Sequence, residues 1–272
     1  MRFRLAASPT IKGHSMLTRI GLRHLATWRS MPVKVLVAFI VVSIPSTLTA
    51  QGEESHPPQV WDIARGGQLY DDWGKVLGKE LPKQTHSAYP AAGKQKGGVT
   101  WRCKECHGWD YKGADGAYAK GSHYTGIKGL RSMVGADLDA ILKILANDTH
   151  RYTQDMIGKS ELRKLAAFVS LGQIDMDLYV ERGTRKARGD PQRGAAVFQT
   201  ICAVCHGFEG KNLNFRTPEN PEYIGTISHE NPWEFIHKAR FGQPGIPMIS
   251  LITLPEQSIA ELLAYTQKLP QK

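Results

Sequence analysis

The sequence predicts an all-α protein built as two tandem units. Three observations carry that expectation. Apolar residues recur at helical spacing in several stretches, strand-type alternation is scarce, and one five-residue motif occurs once in each half.

Residues 1–50 read as an export leader. The stretch Met31 to Ala50, "MPVKVLVAFIVVSIPSTLTA", places Lys34 before an apolar run from Val35 to Ile44 and ends in small residues ahead of Gln51. That is the layout of a secretory signal, with cleavage expected after Ala50. The run is short for a membrane span, and an uncleaved N-terminal anchor is the competing reading. Residues 1–30 form an overlong basic lead-in with no acid, as if Met31 were the true start. The leader holds seven of the 35 Lys and Arg residues and none of the 25 Asp and Glu residues. The remaining 28 basic and 25 acidic residues leave the mature chain near +3, so the high total charge does not argue for a nucleic-acid partner.

Residues 51–178 read as the first unit, 179–190 as a linker and 191–272 as the second unit. In the first, a helix is expected from about Val60 in "PPQVWDIARGGQLYDDWGKVLG". "ADLDAILKILAND" carries Leu138, Ile141, Leu142 and Leu145 on one face, and "KSELRKLAAFVSLG" carries Leu162, Leu165, Phe168 and Val169. Ser160 is the expected N-cap of the latter helix and Gly172 its stop. "YVERGTRKARGDPQ", Tyr179 to Gln192, is charged and poor in apolar residues, which marks the linker. Beyond it, "DPQRGAAVFQTICAVCHG" reads as a short helix. "NPWEFIHKARFG" follows with Asn231 as N-cap and Pro232 at the first helical position. "LPEQSIAELLAYTQKL" closes the chain, with Pro255 at a first helical position and Ile259, Leu262, Leu263 and Thr266 at helical spacing.

The repeated motif is C-x-x-C-H: Cys103, Cys106 and His107 in "TWRCKECHGWDYKG", then Cys202, Cys205 and His206 in "ICAVCHGFEGK". These are all four cysteines of the chain, so none is left for an ordinary disulfide framework. C-x-x-C-H is the attachment pattern of c-type haem. Two thiols two residues apart add to the two vinyl groups on one porphyrin edge, and the next residue then offers an imidazole to the iron. A zinc ribbon also pairs C-x-x-C clips, but usually about 15–20 residues apart, and it gives no reason for a histidine after both. Here 95 residues separate Cys106 from Cys202. A thioredoxin-like redox pair would need a βαβ setting that the pattern lacks.

With these residues in place, nearly all of residues 58–272 resembles two class I cytochrome c domains. That family crosses its first helix over its last, setting a Gly and an aromatic four residues later against a Leu and an aromatic three residues later. Gly194 and Phe198 match the first pair and Leu262 and Tyr265 the second; in the other unit Gly66 and Tyr70 match, with Leu165 and Phe168. The first unit departs from the pattern in one place. Phe198 lies four positions before Cys202, whereas Tyr70 lies 33 before Cys103, an insertion of 29 residues whose Pro, Gly and Lys content argues for a loop. It either covers a haem edge, forms a partner surface, or is decoration. Trp101, Trp109 and Tyr111 are expected to wall the first pocket.

The resemblance implies two haem c groups, with a methionine completing each iron. A His–Met iron suits electron transfer. Met248, in the stiff loop "FGQPGIPMIS", falls in the segment where the family's ligand lies, and Met156 occupies the equivalent gap of the first unit. His150 and His123 are alternatives at the first iron, and Met133 and Met176 read as packing residues. The expected function is that of a periplasmic dihaem carrier, not an enzyme. It would pass single electrons between redox partners, a donor dehydrogenase and an acceptor cytochrome or oxidase, with membrane contact only if the leader stays attached. The alternative is a dihaem oxidoreductase of thiosulfate dehydrogenase or peroxidase type. The former family can use a cysteine as sixth ligand, and here the clips consume every cysteine. A peroxidase must open a coordination position.

Overall fold

The computed structural model describes residues 58–272. The expected leader therefore lies outside the described residues. Helix α1 (Val60–Leu77) opens where the Gln59 N–H donates to Asp62 Oδ2 at 3.1 Å, and it ends at left-handed Gly78. It kinks at Asp72 (φ −156°, ψ 86°), whose Oδ1 accepts the Lys75 N–H and starts the helix afresh. The first clip forms α2 (Cys103–His107), followed by α3 (Leu138–Leu145) and α4 (Lys159–Ala167). The second half repeats the order with α5 (Pro191–Val197), clip helix α6 (Ala203–His206), α7 (Ile224–Glu230), α8 (Pro232–Phe241) and α9 (Glu256–Thr266). Wide turns extend α4 over Phe168–Gly172 and α5 over Phe198–Cys202. Among the described residues there are only isolated antiparallel bridges, Gly113 to Lys128 and Val180 to Ala187, and no strand.

One expected cap holds, two expectations need correction, and one further cap comes into view. Asn231 caps α8 by accepting the Glu234 N–H, and Pro232 fills the first position. Asp190 caps α5 through Gln192. Ser160, expected to cap α4, is already inside its first turn; Gly158 is the residue before the helix and offers no side chain. Pro255 is not the first helical residue but the one ahead of α9.

Two crossings organise the helices. α1 packs on α4, and α5 on α9. A Cβ at Gly66 would overlap the Lys164 carbonyl and lie 2.7 Å from Phe168 Cβ. One at Gly194 would overlap the Glu261 carbonyl and lie 2.9 Å from the Leu262 nitrogen. Both glycines are needed because backbone meets backbone there. The aromatic pairs follow, Tyr70 to Phe168 at 5.1 Å and Phe198 to Tyr265 at 5.5 Å between ring centres. Tyr70, Leu165, Phe168 and Phe198 are fully buried.

The two crossings share one core, and residues 58–272 belong to a single compact unit. Helix α8 joins them. Buried His237 donates from Nε2 to the Gly67 carbonyl at 2.9 Å, which leaves Nδ1 to accept the Tyr111 hydroxyl at 2.8 Å. Gln68 Nε2 donates to the Phe241 carbonyl at 2.8 Å, and Lys238 Nζ lies 2.8 Å from Asp71 Oδ2. Burial alone would raise the Asp71 carboxyl, but Lys238 and Arg102 outweigh it and hold the pKa below its ordinary value. The segment 179–190 joins this seam: Val180 is buried, and Arg182 pairs with Asp110 at 2.8 Å while lying over the Trp233 ring.

Gly194→Ala is expected to destabilise the protein by about 3 kcal/mol in a denaturant melt, because neither backbone can retreat. Gly158→Ala, with open space and an ordinary φ, should stay within about 1 kcal/mol of wild type. The seam is also acid-sensitive. Burial moves His237 from 6.5 down to about 4. The unfolded chain then takes up a proton first, so this contribution is full above pH 6.5 and is lost as pH falls toward 4. Melts across that window should show a stability loss that His237→Gln flattens.

Candidate functional site

The two clips have the same local build. Each is a short helical turn ended by a glycine in a conformation that side chains resist, Gly108 (φ 78°, ψ 160°) and Gly207 (φ 77°, ψ 158°). The carbonyl of each histidine then accepts an N–H from six residues on, Gly113 to His107 at 2.8 Å and Asn212 to His206 at 2.9 Å. Both turns sit beside a glycine crossing: Tyr70 of the first donates its hydroxyl to the Gly108 carbonyl.

At the first clip, the loop after α2 folds back through the bridge between Gly113 and Lys128. It brings the Lys128 carbonyl to 2.8 Å from His107 Nδ1. A carbonyl only accepts, so Nδ1 carries the proton and Nε2 is left with its lone pair. Burial, which outweighs the bond to Lys128, lowers His107 to about 4, so the ring is neutral at pH 7, the form that binds a metal. His107 opens on a cavity of about 290 Å³, lined by Cys103 and Cys106 at one side and by Ile141, Leu145, Leu165 and Val169 among its apolar walls.

The sulfurs are unpaired. Burial raises the Cys103 thiol to about 11 and the Cys106 thiol to about 12, and Cys202 to about 11. Among the described residues no three His, Cys, Asp or Glu side chains form a metal cage.

Residues 189–265, which include the second clip and Met248, match the family model described as cytochrome c oxidase, cbb3-type, subunit III. A cytochrome c-553-like protein of Synechocystis sp. is 32% identical over 96 residues, covering 35% of this chain and 84% of the relative. The chain belongs to the c-type cytochromes. A c-type cytochrome carries covalently bound haem c with iron and exchanges electrons with redox partner proteins. This cytochrome's own residues fit such a group: a neutral imidazole with a free nitrogen, two thiols beside it and an apolar hollow at the first clip. At the second, His206 is buried, and its Nδ1 has no hydrogen-bond partner. Ile201, Val204, Phe208 and Phe215 near the clip, and Ile246 and Ile249 around Met248, are exposed apolar side chains of the kind a flat apolar ring covers. No helix among the cytochrome's described residues is long and apolar enough to cross a membrane.

The other expected residues are placed as follows. Met248 is half-buried in the loop between α8 and α9, a loop tied by Ser250 Oγ donating to the Arg240 carbonyl and turned at Gly242 (φ 91°). Met156 packs against the core but does not line the first cavity, whereas Met133 and His150 do. His123 is engaged elsewhere, its Nδ1 2.9 Å from Glu105 Oε2 and its ring stacked on Tyr118. Met176 is fully buried in the core. Trp101 and Trp109 are buried, Trp101 through Nε1 to the Gln84 carbonyl, and Tyr111 serves the seam with His237.

Sequence reading missed two participants. Lys128 acts through its carbonyl, which any residue supplies, so its side chain gives no signal. His86, in the inserted loop, lines the cavity and packs on Trp101 at 4.3 Å between ring centres. Only its being a histidine in a Pro-, Gly- and Lys-rich loop marks it.

Inside the first clip, buried Glu105 pairs with Lys104 and His123. Burial works against its charge, but these partners prevail and hold it at about 2, below its ordinary 4.5. The stabilisation is complete above pH 4.5 and is lost as pH falls toward 2. An acid melt of Glu105→Gln should be less stable than wild type at pH 6 and should converge with it near pH 2.

Proposed function

We propose that this cytochrome is an exported dihaem carrier that moves single electrons between a donor dehydrogenase and an acceptor cytochrome or oxidase in the periplasm. Cys103 and Cys106 tether one haem c and His107 ligates its iron; Cys202, Cys205 and His206 do the same for a second. The observation that carries this reading is the repetition of one clip geometry, with matching glycine angles and matching backbone bonds, on two glycine crossings.

Bound haem supplies a one-electron Fe(III)/Fe(II) couple. The chain's part is to hold and shield it. The Lys128 carbonyl fixes the tautomer and orientation of His107. Leu130, Ile141, Leu145 and Val169 exclude water on the first side. Met248 would supply the second protein ligand to the second iron, where Gly242 and the bond from Ser250 stiffen its loop. A peroxidase would need one iron with an open position, whereas here each site has a protein side chain available for it, and the clips leave no cysteine to serve as a sixth ligand. Residues 1–50 serve as the export signal, because thioether attachment belongs outside the cytoplasm.

Intact-mass measurement of the denatured exported protein should show two haem masses on a chain beginning near Gln51. Cys103→Ala with Cys106→Ala should leave one haem, and Cys202→Ala with Cys205→Ala the other. A single haem on the wild-type chain would sink the dihaem reading.

A further inference from the structure

Two imidazoles line the first cavity. The ring centres of His107 and His150 lie 6.2 Å apart, with their planes 24° from parallel. A metal–imidazole bond of roughly 2 Å, with each ring centre about 1 Å behind its nitrogen, places two trans imidazoles about 6 Å apart centre to centre. Face-to-face packing of two rings this near to parallel is closer, as the 4.8 Å between Tyr118 and His123 illustrates, while the pairs at about 6 Å elsewhere in the core are steeply tilted. The separation therefore matches two rings with one metal between them.

His150 is also held as a ligand would be. Its backbone N–H donates to Asn147 Oδ1 at 3.0 Å, and its Nδ1 lies 3.3 Å from the same oxygen. The Asn147 oxygen and the Ile144 carbonyl both accept from this ring and anchor it at the cavity wall, and a neutral imidazole keeps one nitrogen lone pair. The His150 carbonyl is fixed by His86. The Ala88 N–H donates to His86 Nδ1 at 3.1 Å, which makes Nε2 the protonated nitrogen, and it donates to His150 at 2.9 Å. The next residue, Arg151, sits at φ 57°, a left-handed conformation unfavourable for a side chain with a Cβ. Met156, six residues on, is outside the lining.

We propose that His150 is the sixth ligand of the first haem iron, making it a bis-histidine centre beside a His–Met centre at the second clip. This inference rests on the reading of His107 as the first iron's proximal ligand. A bis-imidazole iron lacks the thioether that raises potential, so the first haem is the lower-potential one. The inserted loop then has a task, because it supplies the His86 that holds His150 in place.

The test is spectroscopy and redox titration of the intact exported protein, with haem counted by mass in every variant. Oxidised wild type should show a sulfur-to-iron charge-transfer band for one haem only. The near-parallel rings should give the first iron a rhombic low-spin resonance, not a strongly axial one. His150→Ala should convert one haem to high spin. His150→Met should add a second sulfur band and raise the lower midpoint potential. Met156→Leu should leave spectra and potentials unchanged, and Met133→Leu, a change in the cavity wall, should keep the single sulfur band. Haem attached at the first clip with spectra unaltered in both His150 variants would overturn this inference alone, as would loss of a sulfur band in Met156→Leu or Met133→Leu. Absence of haem at the first clip of wild type would overturn the proximal assignment with it.

Discussion

At Gly66 and Gly194 two helix backbones approach more closely than any side chain permits, and both clips are hung from those crossings. Close approach removes the slack a crossing usually has. It fixes Tyr70 over Phe168 and Phe198 over Tyr265, and Tyr70 in turn reaches the carbonyl of Gly108, the residue that ends the first clip. A histidine that must meet a metal within a fraction of an ångström needs such a chain of rigid contacts behind it. The clip supplies the short-range geometry, and the crossing supplies the long-range one.

The seam between the halves is polar where a stability argument would prefer it apolar. Asp71 is fully buried with Lys238 and Arg102, and His237 is fully buried between Tyr111 and Gly67. Buried ion pairs are weak sources of stability because desolvation offsets much of their attraction. What they do well is set one register, since a displaced seam would leave a charge unpaired in the core. For the two redox centres proposed on this chain, that is the more useful property. Electron transfer falls steeply with distance, so a seam with one geometry gives one rate.

Much of this was legible in the sequence, and the parts that were not share a cause. The crossings were expected through the resemblance to class I cytochromes c, and they could be carried over residue by residue because glycine and the aromatic residues act through their own size. Asn231 and Pro232 could be read for the same reason, since a cap is a local bargain between neighbours. Ser160 fails because α4 begins one residue earlier, at a distance from the crossing that the local pattern does not encode. The charges of 179–190 suggested loose chain, yet Arg182 is matched to Asp110, 72 residues earlier. Lys128 contributes a carbonyl and so has no signature at all. Position in the chain placed Met156 in the gap before α4, but α3 ends in a turn at Asn147 that carries His150 into the cavity ahead of it.

The inserted loop makes the two halves unequal, and that inequality has a direction. His86 and Ala88 reach the first cavity from a segment that the second half lacks between Phe198 and Cys202. On the proposed reading, this loop steadies an imidazole at the first iron, while the second iron takes a thioether from a loop turned at Gly242. Imidazole favours the oxidised iron relative to thioether, so an electron arriving at the first centre runs downhill to the second. Had both centres kept the same ligands, the duplicated fold would offer two equivalent stations with no internal preference. On that reading insertion and seam act on different quantities: the loop favours the ligand set that gives the driving force its sign, and buried Asp71 with its α8 partner Lys238 holds the path over which it acts.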